Sequence, residues 1–352
     1  MSALVFAQPQ PARDALRRAI SAHYLADETA LIHKLLALAA LPAEHASLVV
    51  RQAAQWVERV RRLKHEQSPL DAFMQQYDLS SEEGVLLMCL AEALLRIPDD
   101  ATADKLIADK LGDADWESHF GKSESLFVNA GTWGLMLTGK IVKLSPDTTG
   151  SFRKAINKLV AKSTEPVIQL AVRQAMRLMG SQFVMGRSIG EALKNARSKA
   201  HRAYLHSYDM LGEAALTGAD AERYFKAYQD AIRAIGQAVR DDAVFATASL
   251  HARPNISVKL SALHPRYELA KRDRVLAELV PKLLALARQT KAEGIGLTVD
   301  AEEADRLELS LDVIEAVYSD ASLDGYEGFG LAVQAFQKRA LPVIEWLEAL
   351  VQ

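Results

Sequence analysis

The sequence predicts an α/β fold with a large all-α region in front: an incomplete (βα)8 TIM-like barrel of about four βα units, preceded by a helical domain. After about residue 180, short apolar strands alternate with helical sequence, which indicates parallel strands joined by crossovers. Three of these strands place a polar residue near the carboxyl end, where such barrels display their sites. The polar residues are Lys259, Asp300 and Gln334.

The region before residue 180 is predicted to be helical almost throughout. Apolar residues recur near a 3.6-residue period, and residues 79–98 combine capping serines, first-turn acids and a terminal proline. Residues 145–160 repeat that arrangement. We therefore expect a helical arm over residues 1–63 and a helical domain over residues 64–180. The arm helices are predicted at residues 13–23, 28–40 and 43–64.

The partial barrel is predicted over residues 181–352. Only four βα units are visible, whereas a complete barrel has eight and about 250 residues. Alternation along the second strand would place Ser257, Lys259 and Ser261 on one face. Small residues with one polar group at each strand end leave room for a flat ligand. The strands are predicted within 203–211, 256–263, 294–301 and 328–336, with helices at 220–239 and 279–288 and a long loop at 242–255.

Composition narrows the classes of function. The net charge of -3 and a pI near 6.3 argue against wholesale nucleic-acid binding. No apolar run approaches the roughly 20 residues that span a bilayer, and the start does not resemble a signal peptide, so we expect a cytoplasmic location. Cys89 is the single cysteine, which excludes an intrachain disulfide, and the histidines show no metal-ligand spacing. His264, before a proline, is interpreted as a turn residue.

Several long motifs resemble the bifunctional bacterial proline utilization A family. SYDMLGEAAL (207–216), SVKLSALHPRY (257–267), TVDAEEADRLELSLD (298–312) and VQAFQKR (333–339) resemble its proline dehydrogenase barrel. Residues 80–99 and 125–142 resemble the helical domain before that barrel. The resemblance covers the chain from about residue 12. It leaves the ribbon-helix-helix DNA-binding segment, the second half of the barrel and the aldehyde dehydrogenase module without counterparts.

The resemblance implies FAD-dependent oxidation of L-proline to Δ1-pyrroline-5-carboxylate, in proline catabolism to glutamate. Electrons would pass to a membrane quinone, with peripheral contact at the inner face of the membrane. By resemblance, Asp300 and Lys259 are catalytic, Gln334 and Ala301 contact the flavin, and Glu213 gates the pocket; no metal is implied. The arginines that grip the substrate carboxylate would follow Gln352. We therefore expect weak activity from this chain alone, and self-association through open sheet edges.

Two other functions remain open from the residues alone. Lys259 would also suit a Schiff-base aldolase, and an incomplete barrel would also suit a catalytically silent scaffold. Spacing by itself favours a structural Lys259–Asp300 ion pair at a strand end. Gln334 has an equally ordinary explanation as a loop or capping amide, and Glu213 as a solvated first-turn acid.

Overall fold

The computed structural model describes residues 12–63, 184–211 and 214–352. The predicted helical domain, Cys89 and Glu213 lie outside these residues. The chain divides into two compact units, residues 1–48 with 188–352 and residues 49–187. The third arm helix begins in the first unit and continues into the second, and every other element described below belongs to the first unit.

The arm contains the three predicted helices, with ends within two residues of the prediction. They are α1 (Ala15–Ala22), α2 (Glu28–Ala39) and α3 (Ala43–Leu63). Asp14 caps α1 by accepting a hydrogen bond from the Arg17 backbone N–H at 2.8 Å. Asp27 caps α2 in the same way through the Ala30 N–H, also at 2.8 Å. Short polar residues thus start these helices where the chain leaves an extended segment.

The sheet has four strands, all parallel and in sequence order. They are β1 (Ser207–Tyr208), β2 (Asn255–Val258), β3 (Gly296–Val299) and β4 (Phe329–Leu331). Along β2 and β3, fully buried residues alternate with half-buried ones. One face therefore packs against helices, while the other carries Ser257, Gly296 and Thr298. Four parallel strands are therefore present where they were predicted, but each is shorter than the predicted range.

Helices follow each strand. They are α5 (Gly218–Asp241), α6 (Ala243–Thr247), α7 (Leu260–Leu263), α8 (Arg272–Glu293), α9 (Leu307–Tyr318) and α10 (Ala340–Val351), with α4 (Ile189–Ala196) ahead of β1. Buried side chains of α5 and α8, including Ile232, Ile235, Leu283 and Leu286, form the core with the strands. The left-handed backbone of Gly294, at φ 68°, ends α8 and leads into β3.

Two local predictions were wrong. The predicted strand 256–263 ends at Val258, and Leu260–Leu263 forms α7, so Ser261 does not share a strand face with Lys259. The predicted loop 242–255 contains α6 and a 3-10 turn at Leu250–Ala252. The cause of α6 is local, because the Asp242 carboxylate accepts the Val244 backbone N–H at 2.9 Å and caps a new helix.

Helix α1 docks onto α9 and α10. Ile20 packs in an apolar cluster with Leu311, Val343 and Trp346. Beside this cluster the Arg17 side chain, only 2% exposed, donates to Asp312 at 2.7 Å and to the Glu308 carbonyl at 2.8 Å. Its guanidinium carbon lies 5.2 Å from the centre of the Trp346 ring. The first arm helix is thus fixed by both apolar and charged contacts.

Asp312 is the centre of this interface. Besides Arg17, it accepts from Arg13 through both carboxylate oxygens and from Arg272 Nε at 2.6 Å. Burial alone would raise the pKa of Asp312, but the hydrogen bonds from Arg13 and Arg272 and the charge of Arg17 outweigh burial and hold that pKa below its ordinary value. We call these four residues, Arg13, Arg17, Arg272 and Asp312, the arm cluster.

Candidate functional site

Three charged side chains meet at the carboxyl ends of the strands, which we call the mouth. Asp209 directly follows β1, Lys259 follows β2 and Asp300 follows β3. The Lys259 ammonium lies 2.7 and 2.8 Å from the two carboxylate oxygens of Asp209 and 2.9 Å from Asp300 Oδ2. Because parallel strands end at the same edge, three distant positions in sequence become one charged trio.

The expected contact between Lys259 and Asp300 is therefore present, and Asp209 is an addition that sequence reasoning missed. A signal for Asp209 existed, since it lies inside the SYDML segment at the same strand-end position as the other two residues. Roughly a quarter to two fifths of each side chain is exposed: 24% for Lys259, 29% for Asp300 and 38% for Asp209. A ligand in the mouth can therefore reach all three.

The backbone around the trio is held by buried contacts. The Lys259 backbone N–H donates to the hydroxyl of Tyr228, a fully buried residue of α5, at 3.2 Å. The Asp300 N–H donates to the Val258 carbonyl at 2.9 Å, which extends the ladder between β2 and β3 by one residue. Asp300 Oδ1 accepts the N–H of Ala301 at 3.1 Å. The backbone contacts at the strand ends thus fix where the side chains of Lys259 and Asp300 start.

Glu302 joins two loops of the mouth. Its Oε1 accepts the backbone N–H of Ser261, in the first turn of α7, at 3.0 Å. Its other oxygen lies 3.6 Å from Arg306, whose guanidinium carbon is 5.5 Å from the centre of the Tyr267 ring. Burial raises the pKa of Tyr267, so this phenol stays neutral. Glu302 therefore fixes the turn that follows Lys259 against the loop that carries Asp300.

Gln334 and Ala301 line the same cavity as Lys259. This cavity, of about 660 Å³, lies over the mouth. That volume falls in the range of small-molecule and cofactor sites, about 300–1,000 Å³. A second, smaller cavity is lined by Asp300, Ala301 and Gln334. A methyl group added at Gly330, on β4, would meet no atom within 4 Å, so β4 leaves open space beside these groups.

No metal centre is found among the residues that the structure describes, where no three His, Cys, Asp or Glu side chains are grouped to hold an ion. His264 is only 2% exposed; its Nε2 lies 3.0 Å from Glu278, and its Nδ1 accepts the Arg266 backbone N–H at 3.1 Å. This pattern agrees with the predicted turn residue. In the same parts of the chain, none of the helices is long and apolar enough to cross a membrane.

The successive parallel βα units, with charged side chains at the carboxyl ends of three strands, define the class as an α/β protein with a candidate site at that edge of the sheet. Comparison with known proteins supplies the family. The family model described as "Proline dehydrogenase" matches residues 192–352. That described as "Proline utilization A proline dehydrogenase N-terminal domain" matches residues 14–61. Residues 192–352 belong to the proline dehydrogenase family, and nearly the whole chain is similar to proline utilization A.

Individual relatives agree with this assignment. The bifunctional protein PutA of Escherichia coli K12 is 47% identical over 347 residues, which are 98% of this chain and 26% of that protein. PutA of Rhizobium meliloti is 45% identical over 97% of this chain and 27% of its own length. The crystal structure of proline utilization A from Bradyrhizobium japonicum is 42% identical, with a TM-score of 0.61, over 97% of this chain and 32% of that one. The chain thus spans about a quarter of the length of the curated relatives it matches.

A third family model corrects one expectation. The model described as "DNA-binding domain of Proline dehydrogenase" matches residues 69–183. The sequence had predicted no DNA-binding segment, on the ground that a ribbon-helix-helix counterpart is missing. The match falls on residues 69–183 and not on an N-terminal segment. These residues lie outside the described parts of the chain.

Proposed function

We propose that this chain carries the first half of an FAD-dependent proline dehydrogenase barrel of the proline utilization A type. In this proposal, residues 181–352 form about four units of a (βα)8 barrel, after a helical arm (1–63) and a helical domain (64–180). The observation that carries the proposal is the 2.9 Å contact between Lys259 and Asp300 beside a cavity that Lys259 and Gln334 line, in a segment that matches the proline dehydrogenase family.

The residues present fit a flavin. Ala301 is a small residue of the cavity, the space next to Gly330 on β4 is open, and Gln334 supplies an amide for the polar edge of the ring. FAD, when bound, accepts the hydride that proline loses from carbon. Gln334 and Ala301 would hold the ring, and Glu213 would gate the pocket, as the family resemblance implies.

The charged trio would bind and orient the substrate. Proline carries an ammonium group in its ring, and Asp300 can accept a hydrogen bond from it, since Asp300 is part-exposed in the mouth. Lys259 holds Asp300 in place at 2.9 Å, and Asp209 holds Lys259 through both oxygens. Fixing the amine relative to the hydride acceptor is the protein's main contribution to such a reaction.

The further partners follow from the family. L-proline would be the substrate, a membrane quinone the electron acceptor, and the remaining barrel half and the aldehyde dehydrogenase module would complete the protein. A cytoplasmic protein that meets the inner face of the membrane would reach such a quinone. Self-association would cover the outer edges of β1 and β4, the terminal strands of the described sheet.

Lys259→Met tests the proposed substrate site. In the protein expressed from its complete gene, we expect dye-linked proline oxidation to fall by about tenfold or more, because a hydrogen bond to a charged group is worth ~1.5–3 kcal/mol. Lys226→Met, on the exposed side of α5, is the matched control and should leave turnover unchanged.

Borohydride separates this proposal from the aldolase. A Schiff-base enzyme would form a covalent adduct at Lys259 with a carbonyl substrate and borohydride, and Lys259→Met would abolish the adduct. A catalytically silent scaffold would give neither an adduct nor proline oxidation. Proline turnover without an adduct is the result that supports the dehydrogenase.

A further inference from the structure

A line of contacts connects the arm to Gln334 from behind the mouth. The guanidinium of Arg339, a residue only 3% exposed, donates to the Ala304 carbonyl and, at 3.1 Å, to Gln337 Oε1. Gln337 Nε2 then donates to Gln334 Oε1. On its other side, Arg339 lies 4.3 Å from the centre of the Tyr24 ring in the arm.

The direction of every hydrogen bond in this line is set by Arg339. A guanidinium has five N–H donors and no acceptor, so the side-chain oxygen of Gln337 must face it. The NH2 group of Gln337 is therefore turned toward Gln334, where it requires the carbonyl oxygen. An amide that could adopt either orientation is thus fixed by a neighbour that can only donate.

From this line of contacts we infer that Arg339 and Gln337 are positioning residues that make Gln334 present its NH2 group, and not its carbonyl oxygen, to a ligand in the mouth. The carbonyl oxygen of Gln334 is engaged by Gln337, and the side chain lines both mouth cavities. The site therefore selects a ligand with a hydrogen-bond acceptor over β4.

The inference rests on the proposed function only for the identity of that ligand. The oxidised isoalloxazine ring carries acceptors along its polar edge, in carbonyl oxygens and unprotonated ring nitrogens. A fixed donor at Gln334 matches those acceptors, so the line of contacts from Arg339 would favour binding of such a ring.

The line of contacts begins at Arg339, which the arm contacts through Tyr24. The ring face of Tyr24 attracts the guanidinium, an interaction that gains strength when the cation is removed from water. Burial lowers the pKa of Arg339 below its ordinary value, which agrees with a desolvated cation. The next residue, Lys338, donates to the Ala26 carbonyl at 2.8 Å, so the arm turn and the loop after β4 are joined at two adjacent residues.

The decisive variant is Gln337→Glu, which keeps the size of the side chain but removes its donor. The carboxylate would accept from Arg339 and repel Gln334 Oε1, so the Gln334 amide should turn over and donate to it. We expect the affinity for FAD, from titration of the protein expressed from its complete gene, to fall by about tenfold or more. Gln237→Glu, exposed on α5, adds the same charge away from the mouth and should bind FAD like the wild type.

Side-chain amide exchange by NMR reads the orientation without any flavin. In the 15N-labelled wild type, the Gln337 NH2 should exchange slowly with water and the Gln334 NH2 rapidly. In Gln337→Glu, the Gln334 NH2 should become the slow one. The signals are assigned by their loss in Gln334→Glu and Gln337→Glu. A protected Gln334 NH2 in the wild type, or one that Gln337→Glu does not change, would overturn the inference.

The contribution of the arm is tested with a pair of variants. Tyr24→Ala should speed exchange of the Gln337 amide and weaken FAD binding, whereas Tyr24→Phe should restore both, because the ring face is kept. Absence of FAD binding in the wild type would count against the proposed function, and the amide exchange rates would still decide the orientation of Gln334. An unaltered Gln337 amide in Tyr24→Ala would show that the arm does not position Arg339.

Discussion

Asp300→Ala is expected to lower kcat/KM for proline by about 10²-fold, because a side chain that positions the reacting amine is typically worth that much. The substitution removes the carboxylate that Lys259 holds at 2.9 Å and that the backbone of Ala301 supports. The measurement is dye-linked proline oxidation over a range of substrate concentrations, in the protein expressed from its complete gene.

The control for this prediction lies five residues away. Asp305→Ala removes an exposed carboxylate from the 3-10 turn Ala304–Arg306 without touching the charged trio. Its kinetics should match those of the wild type. Wild-type kinetics in Asp300→Ala itself would refute the assignment of the substrate site.

The second large effect is on stability. Asp312→Ala should lower the free energy of unfolding by about 3–5 kcal/mol, because it removes the buried carboxylate that pairs with three arginines, among them the buried Arg17. The Asp312 side chain is 3% exposed and contacts Arg13, Arg17 and Arg272. Urea unfolding measures the loss, and we expect the arm to become a site of early proteolysis.

Glu315→Ala is the matched control for the arm cluster. Glu315 also pairs with Arg17, but at 3.4 Å and with a side chain that is 46% exposed. Exposed ion pairs contribute about 0–1 kcal/mol. If Asp312→Ala cost no more than Glu315→Ala, burial of the arm cluster would not stabilise the fold.

The lowered pKa of Asp312 gives this stability a pH dependence of definite sign. A carboxylate whose pKa is lower in the folded than in the unfolded state stabilises the fold fully above its ordinary value of 3.8. The contribution is lost as the pH falls through the lower folded value. The wild type should therefore lose part of its urea resistance at acid pH, and Asp312→Asn should lack that part of the loss.

Much of the strand framework could be predicted because its signals are local. Apolar runs that end in a polar residue placed Lys259 and Asp300 at strand ends, and parallel pairing then brought them together. The end of β2 was harder to predict, because the apolar residues 260–263 are compatible with either a strand or a helix. The Glu302 oxygen that caps this turn comes from 41 positions along the chain.

Other features had no local signal. The arm cluster joins residues about 300 positions apart, so Arg13 and Arg17 resembled ordinary solvated charges of an amphipathic helix. Asp209 was missed because β1 has only two residues, too short for an alternating pattern to mark its end. The orientation of the Gln334 side-chain amide depends on the buried Arg339. A sequence pattern cannot show that one particular arginine is buried.

The central claim is that the mouth binds a flavin that proline reduces. The direct test is to purify the protein expressed from its complete gene, add FAD, remove the excess, and add L-proline without oxygen. We predict bound flavin whose visible absorbance is bleached by proline, and much slower bleaching in Asp300→Ala with the flavin retained. Failure to retain FAD, or an oxidised spectrum that proline leaves unchanged, would contradict the claim.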